Sequence, residues 1–483
     1  MIRWIELWRY HPSKITLVAL FLFCALPVTV VSALITPPGQ VPDETAHMLR
    51  ASGLMHGVIL GHRETNFDPV NRVVQNYAGV MADVDYVMIS VENTTQIDGR
   101  PVLTESNMDA LNAAPVNPTR FFSDIPNTVR YFPAAYVPAA MALGVARAAH
   151  LPPLLSFWIA RLAMAAAFLV LGGLSLYVAR YGEALLLAVL ILPTTLFLAG
   201  SINQDGILIG LTCLACAYYT RGTRAGRIAA LVLFTLVLLA KPNYVLLYGV
   251  FALPLLGPGF WTRVRDICIA VLPVIVWIVI VSIFVTVPFV KPPYHPGPLY
   301  TGDHSVWFYS TNDAANLHIL LAHPSLFITL PWVSTMQQGL TKLHEAIGVL
   351  GFLQLFLPVR YYNVWCVALG VAAAGVVFSP RPAPMGAGTA AVSFGVTLLL
   401  ILATWWLTLI MFYLSWSIVG LDFVDGIQGR YALIMVPFIV LGLPSLAKRF
   451  TLPSVVAIAP AVLIGVFDIV YVPMQLVWFF YLH

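Results

Sequence analysis

Apolar runs of about membrane-spanning length recur from near Lys14 to Val472, separated by short polar breaks, and this repetition limits the fold more than any other feature. Hydrophobic residues make up 60% of the chain and charged residues 10%, where soluble domains carry ~25% charged. Backbone groups inside a bilayer must be satisfied internally, so long apolar runs of this kind predict helices. The expected fold is an all-α integral membrane protein of about eleven transmembrane helices, with interfacial helices in its external loops. The expected spans are residues 15–36, 155–178, 184–201, 205–220, 227–240, 244–258, 266–290, 362–379, 390–418, 431–447 and 452–472. The first run is longer than a signal-peptide core and lacks a clear small-residue cleavage site, so it reads as a retained span.

The basic residues orient the chain. If Arg3, Arg9 and Lys14 are cytoplasmic, alternate loops bring to the same side Arg180, then Arg221, Arg224 and Arg227, then Arg263 and Arg265, then Arg381, then Lys448 and Arg449. That is the positive-inside pattern at every short loop. The formal net charge of +4 hides this asymmetry and gives no reason to expect a nucleic-acid partner. All five cysteines lie in apolar runs, where a thiol behaves as a small hydrophobe, so the Cys213/Cys216 spacing reads as packing rather than a metal site. The whole of 1–483 reads as one transmembrane domain with two long external segments, 37–154 and 291–361. Within the first, residues 127–150 read as an interfacial helix pair.

The stretch "VPDETAHMLRASGLMHG", residues 41–57, is unusually ionisable for its place after the first span. Pro42 at a first helical position with Asp43 and Glu44 in the first turn suits a helix start, where negative charge meets the N-terminal dipole. His47 and Arg50 follow Asp43 at i+4 and i+7, so all three are expected on one polar face. Both carboxylates could then edge one cavity, one as base and the other as metal ligand or orienter. Arg161 falls about two turns into an expected span and needs a partner, for which Asp205 is the nearest candidate in the predicted topology. Arg430, behind Gly426 and Gly429, lies where the chain re-enters the membrane; with Lys241 and Arg130 it is a candidate for holding a phosphate. Asp303 and His304, with His295 and Asp313, occupy the second external segment as further site candidates, and Tyr131 stands beside Arg130. Neither a phosphate-binding GxxxxGK[ST] loop nor a dinucleotide glycine fingerprint occurs.

Six strings occur in order: "TPPGQVPDETAH", "NTVRYFPAAYVP", "LPTTLFLAGSINQDG", "AKPNY", "HEAIGVLGFLQLFLP" and "GIQGRYALIMVP". Together, over about residues 37–440, the chain resembles a large bacterial family of predicted multi-span membrane proteins usually placed with the GT-C glycosyltransferases. That resemblance implies an inverting glycosyltransferase of the bacterial cytoplasmic membrane with its active site on the outer face. It implies a polyprenyl-phosphate-linked sugar donor, a cell-envelope or lipid-linked glycan acceptor, and surrounding membrane lipids as partners. An acidic residue of the first loop would be the base, here Asp43 with Glu44 beside it; any divalent metal, Mg or Mn, would sit on one of these two. The rival expectations are a transporter or flippase of lipid-linked sugars and a non-catalytic membrane scaffold.

Overall fold

The computed structural model describes residues 12–89, 93–117, 119–253, 259–379, 386–446 and 451–482. Arg3, Arg9, Arg381, Lys448 and Arg449, used above to orient the chain, lie outside them. Among the described residues six helices are long and apolar enough to cross a membrane: Lys14–Ile35, Pro153–Val178, Phe260–Phe284, Val359–Val377, Gly388–Ser415 (the apolar part of helix Ala387–Ser415) and Ser454–Tyr481. Two bent pairs raise this to at most eight, fewer than the eleven expected.

Proline and burial account for the shortfall. The expected span 184–201 is cut at Leu192–Pro193 into Glu183–Leu190 and Pro193–Ala199, because proline has no N–H to continue the ladder. The second piece meets Gln204–Tyr219 at a bend of 117°. Similarly, 244–258 becomes a 3₁₀ turn from Pro242 and the short helix Tyr248–Ala252, with 254–258 outside the described residues. The expected span 431–447 is replaced by 3₁₀ turns at Gly429–Ile434 and Val436–Phe438 and by Ile439–Gly442. The first of these runs is core rather than span: Leu185 to Ile191 are all buried within the protein.

Around this core pack the long helices. Lys14–Ile35 is capped by Ser13, whose Oγ accepts from the Thr16 N–H at 3.1 Å, and lies against Pro153–Val178 and Ser454–Tyr481. Its contact with Pro153–Val178 requires Gly172, where a Cβ would come within 2.5 Å of the Phe21 ring. Cys213 and Cys216 are buried and free, as packing requires.

The helix ends segregate. Lys14 pairs with Glu183, Arg227 with Asp266 (3.0 Å), and Arg263 donates to the Ala252 carbonyl (3.0 Å), so these termini share one face. The residues just past the other ends of 224–240, 260–284 and 387–415 gather with Gln204 and Arg430 around one cavity on the opposite face.

Residues 37–154 are not purely helical. β1 (His62–Asp68), β2 (Val73–Asp83), β3 (Thr95–Ile97), β4 (Arg100–Val102) and β5 (Arg120–Asp124) form an antiparallel β1-β2-β5 sheet and a β3-β4 hairpin. The register runs His62↔Gly79 to Asp68↔Val73 on one side of β2 and Gly79↔Asp124 to Asp83↔Arg120 on the other. Alternation along β2 turns Ala78, Val80 and Ala82 toward Leu49, building a small second core with Ile125 and Val129. At the end of β2, Asp83 ties this sheet down through Arg147 (2.9 Å) and His56 (3.0 Å). The expected helix pair over 127–150 is a 3₁₀ turn, Pro133–Tyr136, followed by Val137–Ala148, whose Val137, Met141 and Val145 form an exposed apolar stripe at i, i+4, i+8. In the second segment β6 (Val290–Tyr294) pairs with β7 (Phe308–Ser310), and Asp313–Ala322 meets Leu326–Gly348 at 108°.

Candidate functional site

Asp43 is the last residue before helix Glu44–Met55, not inside its first turn as the sequence suggested. Its backbone is left-handed, with φ at 63°, which aspartate tolerates better than most residues. The consequence is that two adjacent carboxylates point to different places. Asp43, 31% exposed, lines a cavity of about 340 Å³, whereas Glu44 is buried and does not.

Glu44 is fully engaged. Arg161 grips it with both prongs, Nε to Oε1 at 2.8 Å and Nη2 to Oε2 at 2.6 Å, and the N–H groups of Ile202 (3.1 Å) and Gly39 (3.3 Å) donate to the same oxygens. Arg161 spends its remaining donors on the carbonyls of Ala33 (2.9 Å), Thr36 (2.5 Å) and Pro37 (3.2 Å). Thus the partner of Arg161 is Glu44, not Asp205, and the pair locks the end of the first span to helix Pro153–Val178. Arg50 also leaves the expected polar face: wholly buried, it donates to the carbonyls of Val58 (3.0 Å), Ile59 (2.6 Å) and Tyr131 (3.3 Å), holding a loop.

The cavity gathers residues far apart in sequence. Arg430 pairs with Asp43 Oδ2, donates to the Pro42 carbonyl at 3.3 Å, and places Nε 3.2 Å from Asp205 Oδ2. Asp205 Oδ1 is 2.5 Å from Lys241 Nζ, which also sits 4.4 Å from the Tyr431 ring centroid. Asp43, Arg430, Asp205 and Lys241 therefore form a charge-neutral chain, as burial demands. Among the described residues Asp43 Oδ1 accepts only from the Asn127 amide, at 3.5 Å, on the cavity wall. Arg130 lines the same wall with its guanidinium 4.9 Å from the Phe289 ring centroid and no carboxylate at ion-pair distance among the described residues. Tyr131, His47 and Asp313 also line it; Asp303, His304 and His295 do not, lying in the exposed turn between β6 and β7.

His47 is buried with Nδ1 2.6 Å from the Tyr136 hydroxyl. Burial lowers its pKa to about 4, against the smaller upward pull of Asp43 and Asp205, so it is a neutral imidazole near pH 7. A divalent metal does not fit these residues: both Glu44 oxygens are held by Arg161, one Asp43 oxygen by Arg430, and two cations flank the remainder.

Gln204, Gln428, Asn127 and Asn243 line the cavity without having been singled out in the sequence. The one available signal was their position inside the quoted strings, since uncharged amides carry no signature of burial. Part of the cavity's wall is apolar, with Ile278 and Met411 lining it at 38% and 44% exposure.

No curated protein and no solved structure matches the chain. Residues 26–441, which contain both carboxylates, Arg161, Asp205, Lys241 and Arg430, match the family described as "Predicted membrane protein (DUF2142)". The match takes in most of the chain and every residue that lines the cavity, so the protein belongs to this family of predicted membrane proteins.

Proposed function

We propose that the protein is a membrane glycosyltransferase of GT-C type, moving a sugar from a polyprenyl-phosphate donor to a hydroxyl of a cell-envelope or lipid-linked glycan. The observation that carries this reading is one cavity holding a half-buried carboxylate, a guanidinium with no carboxylate at ion-pair distance among the described residues, and an apolar stretch of wall. A polyprenyl phosphate is matched by that combination: its tail stays with Ile278 and Met411 in the bilayer while its phosphate reaches Arg130. The clustering of Lys14, Arg227 and Arg263 at helix ends away from the cavity supports a position for the cavity on the outer face of a bacterial cytoplasmic membrane.

In the reaction the acceptor oxygen attacks the anomeric carbon and its proton passes to Asp43 Oδ1. The bond from that carbon to the phosphate oxygen breaks, and polyprenyl phosphate leaves with the electron pair. Arg130, aided by Lys241 elsewhere on the cavity wall, stabilises the charge gained by the leaving phosphate. Arg430 holds Asp43 by its other oxygen and so aims the base, a role its burial suits better than direct contact with the donor. One displacement with one base inverts the anomeric carbon. Glu44 takes no part, and no step requires a metal.

A lipid-linked-sugar transporter is the second reading, favoured by the two bent helix pairs, because discontinuous helices often frame transport sites. The test is purified protein in nanodiscs with polyprenyl-phosphate hexoses and a glycan acceptor. Release of polyprenyl phosphate is expected, and Asp43→Asn should slow it at least ~100-fold while donor binding persists. Sugar-lipid movement across a vesicle wall without any release would favour the transporter.

A further inference from the structure

Gln204 is 0% exposed, lines the cavity, and has neither its amide nitrogen nor its amide oxygen hydrogen-bonded among the described residues. Gln428, on the same wall and next to the Arg430 turn, likewise has a buried amide oxygen without a partner. A buried amide left unpaired costs ~1–3 kcal/mol for each lost bond, so beside a cavity its missing partners are supplied by ordered water or by a ligand that displaces it. Both ends of the Gln204 amide are open, so rotating it about its last bond changes nothing.

The chemistry of the missing partner is constrained. An ionised phosphodiester offers only acceptors, and an unpaired amide oxygen would repel it. Two open acceptors and one open donor call for a group that both donates and accepts, and vicinal hydroxyls do both. The ligand is also uncharged at this place, because Asp205, adjacent to Gln204, is already neutralised by Lys241 and Arg430.

We propose that Gln204, with Gln428, forms a sugar-hydroxyl subsite on the cavity wall, separate from the lipid-phosphate contact at Arg130. This rests on the glycosyltransferase reading only for which sugar arrives there, the donor's or the acceptor's. The helix beginning at Gln204 is capped by Asn203, whose side-chain oxygen accepts from the Asp205 N–H at 2.8 Å and whose amide donates to the Pro42 carbonyl at 3.0 Å. The Gln204 backbone is thereby held in register with Asp43, and its side chain needs no structural role.

That last point yields a discriminating variant. Replacing an unpaired buried amide by an apolar group of similar size is neutral or stabilising. Gln204→Leu should therefore melt at or above the parental temperature in detergent, and Gln204→Met, equal in length, repeats the measurement with less change of shape. Binding is measured with three probes: bare polyprenyl phosphate, polyprenyl-phosphate hexoses, and soluble methyl glycosides of glucose, galactose, mannose and N-acetylglucosamine. The expected result is about fivefold or greater weakening of a sugar-bearing probe in both variants, the loss of roughly one hydrogen bond or more, with bare polyprenyl phosphate unaffected. Weakening of the hexosyl lipid assigns the subsite to the donor sugar; weakening of methyl glycosides alone assigns it to the acceptor. If both variants bind every sugar-bearing probe as the parent does, or the parent binds none, the subsite is refuted. Failure of lipid phosphate to bind the parent would instead overturn the glycosyltransferase reading and leave the methyl-glycoside arm to decide the subsite.

Discussion

Exchanging the two neighbouring carboxylates for their amides should separate architecture from chemistry. Glu44→Gln removes the charge opposite Arg161 where both side chains are 0% exposed, and the guanidinium then keeps only carbonyl partners. Breaking a buried pair by removing one partner costs ~3–5 kcal/mol, since the other charge stays desolvated. Asp43→Asn breaks a pair whose carboxylate is 31% exposed and whose arginine still faces Asp205 at 3.2 Å; partial solvation holds that loss to about 1 kcal/mol. Glu44→Gln should therefore lower folded yield and the melting temperature in detergent by several times as much as Asp43→Asn. Turnover per folded molecule should show the reverse order, near parental for Glu44→Gln and at least ~100-fold down for Asp43→Asn. Size-exclusion profiles with scanning fluorimetry give the first comparison and single-turnover transfer the second. A Glu44→Gln protein as stable as the parent would refute the argument that Arg161 needs this carboxylate.

Acid should destabilise the protein through His47. Its folded pKa of about 4 lies below the ordinary value of 6.5, so the unfolded chain takes up a proton that the folded chain refuses, and stability is full above about pH 6.5 and declines toward pH 4. The contribution is about 3 kcal/mol, and His47→Phe should flatten that part of a melting-temperature profile. Gly429→Ala should cost ~1–3 kcal/mol and displace Arg430, because a Cβ there would lie 1.9 Å from the Lys342 carbonyl oxygen and 2.7 Å from the Ala346 nitrogen, and backbone cannot yield as a side chain does. A drop in melting temperature together with slower transfer checks this. With the five native cysteines replaced, Val70→Cys should react with an impermeant thiol reagent in intact cells and Ala225→Cys should not, and the opposite pattern would reverse the orientation.

Membrane residence, the segregation of basic loops and the ionisable stretch at 41–57 were legible in the sequence, since hydropathy and charge are local properties that a bilayer reads directly. Asp43, Lys241, Arg430 and Arg130, singled out from the sequence, are brought by the fold to one cavity. The number of spans was not legible, because a run such as Ala184–Leu190 is equally apolar whether lipid or protein surrounds it, and only the packing around Pro193 distinguishes the two. Nor could the sequence separate Asp43 from Glu44: they are neighbours with like side chains, and a left-handed backbone at Asp43 sends one to the cavity and the other to Arg161. The exchange of partners, Arg161 with Glu44 and Asp205 with Lys241 and Arg430, is likewise tertiary. Ion pairs form between groups that folding brings within a few ångströms, and sequence separations of 117 and 36 residues or predicted membrane depth carry too little of that distance information. Gln204 is the limiting case, an uncharged amide whose meaning lies wholly in what fails to touch it.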